Sequence, residues 1–289
     1  MQFGIAFSNV GPFIEPDAAV GFAKAAEEAG FDSLWTVEHV VVPSNYESPY
    51  PYSPDGKMPG GEDSPIPDPL IWLAYVAAAT ERIKLATGIL IVPQRNPVIL
   101  AKELATLDRM SGGRLLLGIG VGWLAEEFEA IGVPFAERGA RTDDYVAAMR
   151  SLWTEDKATY HSEFTNFDEC VLRPRPVQAA LPVHVGGHTA VAARRAGRLG
   201  DGFFPAKGAH DELAALFAVA RSAAIDAGRD PGAIEMSAGG NGALGPRALD
   251  EVKALADIGV DRVIVPAYAF WGSPAEDLNR YSEDVIAQF

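Results

Sequence analysis

An acid and a histidine, Glu38 and His39, directly follow the apolar run Ser-Leu-Trp-Thr-Val at 33–37. Such a run predicts a β-strand, and polar residues at its end lie where an active site can form. A histidine can donate or accept a proton near neutral pH. His39 is therefore either a proton-transfer group or a histidine that is hydrogen-bonded at a strand end for structural reasons.

A second candidate site lies within residues 181–205, which predict a strand, a glycine turn, a helix and the next strand. Gly186-Gly187 breaks the strand, His188 follows, and Thr189 opens the helix. Backbone N–H groups at a helix start are unpaired and carry about half a positive charge, so such a turn suits a phosphate group. The alternative is an ordinary strand-to-helix turn.

Glycines also occur within or after two other predicted strands. Thr87-Gly88-Ile89 lies within strand three, where a glycine indicates a bulge, a closely approaching ligand, or barrel packing. Gly118 to Trp123 superficially resembles a dinucleotide-binding turn, but the G-x-G-x-x-G pattern requires glycine where Trp123 stands. A Rossmann site is therefore disfavoured, although a flat ring can lie against the bare backbone at Gly120-Val121.

The remaining polar residues give weaker signals. His184 and His188 are four residues apart, but they span a strand and a turn and have no third ligand, so no metal site is predicted. Lys207 and Arg247 follow strands six and seven, where each either contacts a phosphate or carboxylate or is solvated. Ser8, Glu126 and Glu127 lie near loop starts, and none belongs to a hydrolase motif.

Composition limits the class of protein. The chain has 289 residues, of which 48% are hydrophobic, and this suits one domain over 1–289. The net charge of −15 disfavours nucleic acid as a partner. There is no long apolar run or secretory signal, so we expect no membrane segment. The single cysteine, Cys170, excludes an internal disulfide, and a reducing cytoplasm is the expected location.

Eight predicted strands alternate with eight predicted helices. The strands cover 3–7, 33–37, 84–91, 114–119, 182–186, 202–204, 234–238 and 262–265. The helices cover 17–29, 68–80, 97–110, 138–153, 189–199, 211–227, 248–258 and 274–287. An open doubly wound sheet gives the same alternation, but the count of eight and the lack of a domain boundary favour an α/β fold of the (β/α)8 TIM-barrel type.

Two segments exceed what such a barrel needs. Residues 43–69, after strand two, hold eight of the 21 prolines and three tyrosines, and they predict a lid with aromatic contacts over the carboxyl face. Residues 158–177, after the fourth predicted helix, alternate aromatic and polar side chains and predict a hairpin insertion.

Taken together, these motifs resemble luciferase-like monooxygenases, and specifically their actinobacterial branch of oxidoreductases that depend on the deazaflavin coenzyme F420. The resemblance covers nearly the whole chain. It rests on Phe-Asp-Ser-Leu-Trp-Thr-Val-Glu-His at 31–39, Ala-Thr-Gly-Ile at 86–89, the segment Asn-Pro-Val-Ile-Leu to Ser-Gly-Gly-Arg at 96–114, Gly-Ile-Gly-Val-Gly-Trp at 118–123, and Val-Gly-Gly-His-Thr to Gly-Asp-Gly-Phe at 185–203.

The resemblance implies a deazaflavin or flavin at the carboxyl face, with its ring above strand three. It implies a bulge with a non-proline cis bond at Gly88-Ile89. Gly186, Gly187, His188 and Thr189 match the family's phosphate-binding turn, and Gly200, Asp201 and Gly202 match a further cofactor contact. His39 matches an active-site histidine, with Glu38 expected to hold either the ring or that histidine.

One departure limits the implied activity. The family's sugar-phosphate dehydrogenases have a glutamate proton donor where this chain has Val121, so sugar-phosphate oxidation by their mechanism is not expected, although Lys207 matches one of their basic residues. The expectation is an F420-dependent oxidoreductase that transfers a hydride to or from a small organic substrate and forms a homodimer. The alternatives are an FMN-dependent monooxygenase and a non-catalytic flavin-binding barrel.

Overall fold

The computed structural model describes residues 1–289 and contains one closed barrel of eight parallel strands. The strands in chain order are β1 Gln2–Ala6, β2 Ser33–Thr36, β3 Lys84–Thr87, β4 Leu90–Ile91, β5 Leu115–Gly120, β6 Ala158–His161, β7 Asn166–Cys170, β8 Val183–Gly186, β9 Gly202–Phe204, β10 Glu235–Gly239 and β11 Arg262–Pro266. The barrel runs β1, β2, β3, β5, β8, β9, β10, β11 and back to β1, and β4 extends β3. The predicted TIM barrel is confirmed.

Nine α-helices accompany the strands. They are α1 Pro16–Glu28, α2 Pro69–Ala77, α3 Pro97–Met110, α4 Ala125–Ala130, α5 Arg138–Thr154, α6 Ala190–Leu199, α7 His210–Asp226, α8 Ala248–Asp257 and α9 Pro274–Asp284. The start of α3 follows capping rules, since Asn96 accepts the N–H groups of Val98 and Ile99 at 3.0 and 3.2 Å, with Pro97 in the first turn. None of these helices is long and apolar enough to cross a membrane.

The hydrophobic core has two parts. A cluster of 59 buried residues fills the space between the barrel and its helices. A smaller cluster of Trp35, Ala86, Leu116 and Ile264 fills the barrel interior. Continuous burial of strands on both faces explains why their sequences are apolar throughout rather than alternating.

A polar network, whose members Arg262 and Ser33 are buried, closes the amino end of the barrel, and we call it the base network. Its members are four residues that each begin a strand. Arg262 donates to Glu235 at 2.8 Å and to Ser33 at 2.8 Å, and it also reaches Gln2. Trp35 Nε1 donates to Ser33 Oγ at 2.9 Å, which joins the network to the barrel interior. The base is thus filled by paired side chains.

The structure departs from the predicted elements at two places that matter for function. Strand three is not continuous over 84–91, because β3 and β4 are separated by a cis peptide bond between Gly88 and Ile89, as the family resemblance implied. The short helix α4 was not predicted at all. The segment expected to form a hairpin contains the antiparallel pair β6 and β7, and residues 43–68 contain neither helix nor strand.

Candidate functional site

A histidine and a buried glutamate meet at the carboxyl end of the barrel, which we call the mouth. His39 follows β2, and Glu127 lies on α4, which follows β5. Nδ1 of His39 lies 3.2 Å from Oε2 of Glu127. Oε1 of Glu127 accepts the N–H groups of Val40 at 2.6 Å and Val41 at 3.3 Å. The histidine side chain is 10% exposed and the glutamate side chain is fully buried.

The protonation of this pair follows from its contacts. Burial alone would raise the pKa of Glu127, but the hydrogen bonds that it accepts from His39 and from the N–H of Val40 outweigh burial and lower it. An ionised carboxylate only accepts hydrogen bonds, so Nδ1 of His39 carries a proton and donates it. Nε2 of a neutral His39 is then left with a lone pair that can accept a proton from a ligand.

Glu38 has a different role from the one expected. Its Oε2 accepts the N–H of Ile91 at 2.5 Å, and its Oε1 accepts Nε of Arg95 at 3.1 Å. Arg95 also donates to Asp68 at 2.8 Å. Burial raises the pKa of Glu38, and the adjacent Arg95 opposes that effect. Glu38 was expected to hold either the ring or the histidine; its carboxylate instead binds the N–H of Ile91, just after the strand-three bulge, and the guanidinium of Arg95, so it does not contact His39.

The bulge itself forms an apolar surface at the mouth. A Cβ atom on Gly120 would overlap Cδ1 of Ile89, and one on Gly186 would lie 2.5 Å from Cγ2 of Ile89. The Ile89 side chain therefore lies directly on the bare backbone at the ends of β5 and β8. Val121, which comes directly after Gly120, is half-buried. Thr87 is fully buried and donates to the carbonyl of Gly118 at 2.6 Å, so it fixes the bulge from below.

The glycine turn after β8 leads into α6. Gly187 has a positive φ of 122°, which favours glycine, and Oγ1 of Thr189 accepts the N–H of Ala192 at 3.2 Å. Nδ1 of His188 is buried and has no hydrogen-bond partner. Burial and the nearby charge of Lys207 both lower the pKa of His188. The turn thus offers a helix amino end, a lysine and an unpaired imidazole nitrogen.

Gly200, Asp201 and Gly202 do not belong to the mouth. They precede β9, and the N–H of Asp201 donates to the carbonyl of Val183, the first residue of β8. Asp201 forms ion pairs with Arg150 at 2.9 Å and with Arg229 at 3.2 Å. A parallel strand of four residues spans about 10 Å between its first and last Cα atoms. The assignment of these three residues to the cofactor was wrong, because they lie at the opposite end of the barrel.

The segment 43–68, which we call the lid, is fixed over the mouth by polar contacts. Oε1 of Glu126 accepts the N–H groups of Glu47 at 2.7 Å and Ser48 at 3.1 Å. Burial opposes ionisation of Glu126, but these contacts lower its pKa to about 2. Lys207 donates to the carbonyl of Pro51 from the opposite side of the mouth. The lid therefore contacts loops that follow two different barrel strands.

Aromatic contacts connect the lid to both candidate groups. The ring of Trp123 lies 5.6 Å from His39 and 5.2 Å from Tyr50, measured between ring centroids. Tyr50 lies 5.3 Å from Tyr52, and Tyr52 lies 5.2 Å from His188. Burial raises the pKa of Tyr50 to about 12, so its hydroxyl stays protonated at neutral pH. The predicted aromatic lid thus links His39 to the glycine turn.

Several other sequence candidates fall outside this arrangement. His184 is buried against Trp35 inside the barrel, with ring centroids 5.5 Å apart, so it does not converge with His188. Arg247 is exposed at the start of α8. The sequence placed Glu127 near a loop start but did not predict its contact with His39, because α4 was not predicted. The acidic pair 126–127 between the apolar Leu124 and Phe128 is the signal for that short helix.

Comparison with known proteins agrees with this architecture. A family model described as luciferase-like monooxygenase matches residues 1–282. The chain therefore belongs to the luciferase-like monooxygenase family. An uncharacterized protein of Mycobacterium tuberculosis is 35% identical over 279 residues, which cover 93% of this chain and 94% of the relative.

Two further similar proteins have names that state an activity. The F420-dependent glucose-6-phosphate dehydrogenase of Segniliparus rotundus is 35% identical over 227 residues, which cover 76% of this chain and 62% of that protein. The crystal structure of the monooxygenase RslO1 from Streptomyces bottropensis superposes with a TM-score of 0.75 at 27% identity, covering 100% of this chain and 99% of that one. The family thus includes both dehydrogenases and monooxygenases.

Proposed function

We propose that this protein is an F420-dependent oxidoreductase that transfers a hydride between the deazaflavin and a small organic substrate. The observation that carries the proposal is the pairing of His39 with Glu127 at the same mouth as the Ile89 surface. The relative from Segniliparus rotundus, which is named for coenzyme F420, supports the choice of cofactor. Val121 stands where the related sugar-phosphate dehydrogenases have a glutamate, so the substrate class is proposed to differ from theirs.

The residues of the mouth fit a flat ring with a phosphorylated tail. Ile89, Gly120 and Gly186 form a surface without protruding polar atoms, and a side chain on either glycine would overlap it. His188 and Lys207 border the glycine turn, where a phosphate can use the unpaired Nδ1 of His188 and the amino end of α6. When bound there, the deazaflavin supplies hydride donation or acceptance, and the protein orients it and excludes water.

His39 is the proposed proton-transfer group. Oxidation of an alcohol or reduction of a carbonyl compound moves one proton for each hydride, and that proton needs a positioned group. Glu127 fixes Nδ1 of His39 and leaves Nε2 available. Positioned proton transfer typically contributes about 10²- to 10⁴-fold in rate.

The test is a separate titration of the purified protein with F420 and with FMN, followed by fluorescence quenching. The proposal requires F420 to bind more tightly than FMN. It also requires His39→Ala to bind F420 with nearly unchanged affinity while turnover falls at least about 100-fold. Tight binding of FMN without a response to F420 supports the monooxygenase alternative. Binding without turnover across a panel of alcohols and ketones supports the non-catalytic alternative.

We further infer that the active form is a cytoplasmic homodimer formed through α2 and α3. The outer faces of these helices expose large apolar side chains: Ile71 is 73% exposed, Ile99 is 61% exposed and Met110 is 81% exposed. Large apolar side chains exposed together on two neighbouring helices favour an interface there. Light scattering should give twice the chain mass for the wild type and the monomer mass for Ile71→Asp. Ile225→Asp, at another highly exposed isoleucine on α7 (62%), is the matched control that should leave the mass unchanged.

A further inference from the structure

Three exposed aromatic side chains lie on the rim of the mouth where β1 and β11 end. Phe7 is 37% exposed, and Tyr268 and Trp271 are each 44% exposed. The ring centroids of Phe7 and Tyr268 are 6.3 Å apart, and those of Tyr268 and Trp271 are 6.2 Å apart. We call these three residues the aromatic wall. We propose that the aromatic wall is a substrate subsite for a planar, uncharged ring compound, an inference that rests on the proposed function.

The backbone holds these rings in exposed positions. Phe7 has a positive φ of 58°, which is rare for a bulky residue, and it is exposed just after the buried residues Phe3 to Ile5 of β1. A Cβ on Gly11 would lie 2.5 Å from the Trp271 indole, so that glycine lets the ring pack against the backbone. The hydroxyl of Tyr268 bonds to Oδ1 of Asn241 at 2.5 Å. The wall is therefore a supported surface rather than a set of free side chains.

The position of the wall points to substrate rather than cofactor. The glycine turn, His188 and Lys207 follow β8 and β9, whereas the wall follows β1 and β11. β1 pairs with β2, whose end carries His39, so the wall and the proton-transfer group occupy neighbouring strands of the mouth. In a barrel of this type the loops at the carboxyl ends of the strands together form one active site.

The small number of charged side chains in the loops around the aromatic wall favours an uncharged ligand. The loops 7–15, 239–247 and 266–273 carry only two charged side chains, Glu15 and Arg247, in a chain with 63 charged residues (24 basic plus 39 acidic). A phosphate or carboxylate would therefore find little compensating charge here. Gly239-Gly240 directly precedes Asn241, the partner of the Tyr268 hydroxyl, and adds bare backbone that a flat ring can approach closely. An aromatic or conjugated carbonyl compound fits these features better than a sugar phosphate.

The experiment measures binding of 2-naphthol, a planar and uncharged probe without redox activity, to the protein saturated with F420. Equilibrium dialysis gives its dissociation constant for the wild type, Tyr268→Ala and Trp271→Ala. We expect each alanine variant to weaken binding about three- to tenfold, because each removes one ring contact. Tyr268→Phe keeps the ring but loses the hydroxyl, so it should bind 2-naphthol as the wild type does. Glucose 6-phosphate, at the same concentration, should not compete.

The two proposals fail in different ways. If F420 does not bind, the proposed function fails, and the same dialysis on the protein without cofactor still tests the wall. If F420 binds normally and both alanine variants retain wild-type affinity for 2-naphthol, the aromatic wall is not the subsite. Competition by glucose 6-phosphate would likewise overturn the assignment of an uncharged substrate. Circular dichroism of the alanine variants separates these outcomes from misfolding.

Discussion

Substitution of Glu127 by glutamine tests the central contact of the site. The new side chain has nearly the same shape, but its amide has one oxygen and one NH₂ group. The oxygen must accept the N–H of Val40, which lies 2.6 Å from the present Oε1. The NH₂ group then faces Nδ1 of His39, which changes from a donor to an acceptor. The proton of a neutral His39 therefore moves to Nε2, the atom proposed to act as base.

The size of the effect follows from the bond that is replaced. A hydrogen bond to a charged group contributes about 1.5–3 kcal/mol. Since about 1.4 kcal/mol corresponds to a factor of ten in rate, Glu127→Gln should lower turnover about 10- to 150-fold. Affinity for F420 should stay within about a factor of two, because Glu127 is fully buried and cannot reach a ligand. The defect therefore belongs to the proton-transfer step.

The tautomer can be observed without a substrate. The chain has five histidines, so long-range ¹H–¹⁵N spectra of the imidazole rings can be assigned by single substitutions. His39 should carry its proton on Nδ1 in the wild type and on Nε2 in Glu127→Gln. Glu126→Gln is the matched control, since Glu126 is on the same helix and contacts the lid instead. An unchanged His39 signal, or turnover within twofold of wild type, would refute the positioning role of Glu127.

Three other substitutions test the bulge, the lid and the buried ion pair. Gly118→Ala should destabilise the fold by about 3 kcal/mol, measured by urea unfolding, because its Cβ would overlap the carbonyl oxygen of Thr87. Glu126 has a pKa of about 2 with the lid docked, below its usual 4.5, so docking should weaken as pH falls from about 4.5 toward 2. Glu126→Gln should show that weakened docking at neutral pH, as faster hydrogen exchange over 43–68. Arg95→Met should cost about 3–5 kcal/mol near neutral pH and less in acid, where the buried Glu38 takes up a proton.

Each of these expectations has an outcome that contradicts it. Wild-type stability of Gly118→Ala would mean that the bulge can relax without cost. Equal exchange over 43–68 in the wild type and Glu126→Gln would mean that the lid is held by its aromatic contacts alone. A loss of melting temperature in Arg95→Met that stays constant between pH 4 and pH 8 would show that Glu38 is not the ionised group responsible. Ile225→Ala, at an exposed site on α7, is a control for all three variants and should behave as the wild type in each measurement.

The repeated pattern of the barrel could be predicted from the sequence because each element carries its own local signals. Apolar runs mark the strands, and Asn96-Pro97 with the glycines after Met110 marks the bounds of α3. The short helix α4 was not predicted, because six residues make too few turns for a periodic pattern. The break in strand three depends on backbone geometry at Gly88-Ile89, and it was expected only because of the family resemblance.

The site was predictable only in part, since spatial neighbours are not sequence neighbours. His39 and Glu127 are 88 positions apart, and no spacing rule links them. Glu38 is adjacent to His39 in sequence, yet its side chain points to Ile91 and Arg95, because successive residues at a strand end face different directions. Asp201 was expected at the cofactor site because of the family resemblance. It precedes β9, however, and so lies at the amino end of the barrel rather than at the mouth.

The base network imposes an order on ligand exchange under the proposed function. Arg262, Glu235 and Ser33 block passage through the amino end, so every ligand enters and leaves by the mouth. The Ile89 surface is built from the strand ends themselves, whereas the aromatic wall belongs to the loops above them. A substrate already bound at the mouth would obstruct a flat ring moving toward Ile89. Steady-state kinetics should therefore be sequential and ordered, with cofactor binding first and leaving last, and an inhibitor that competes with the substrate should be uncompetitive with the cofactor.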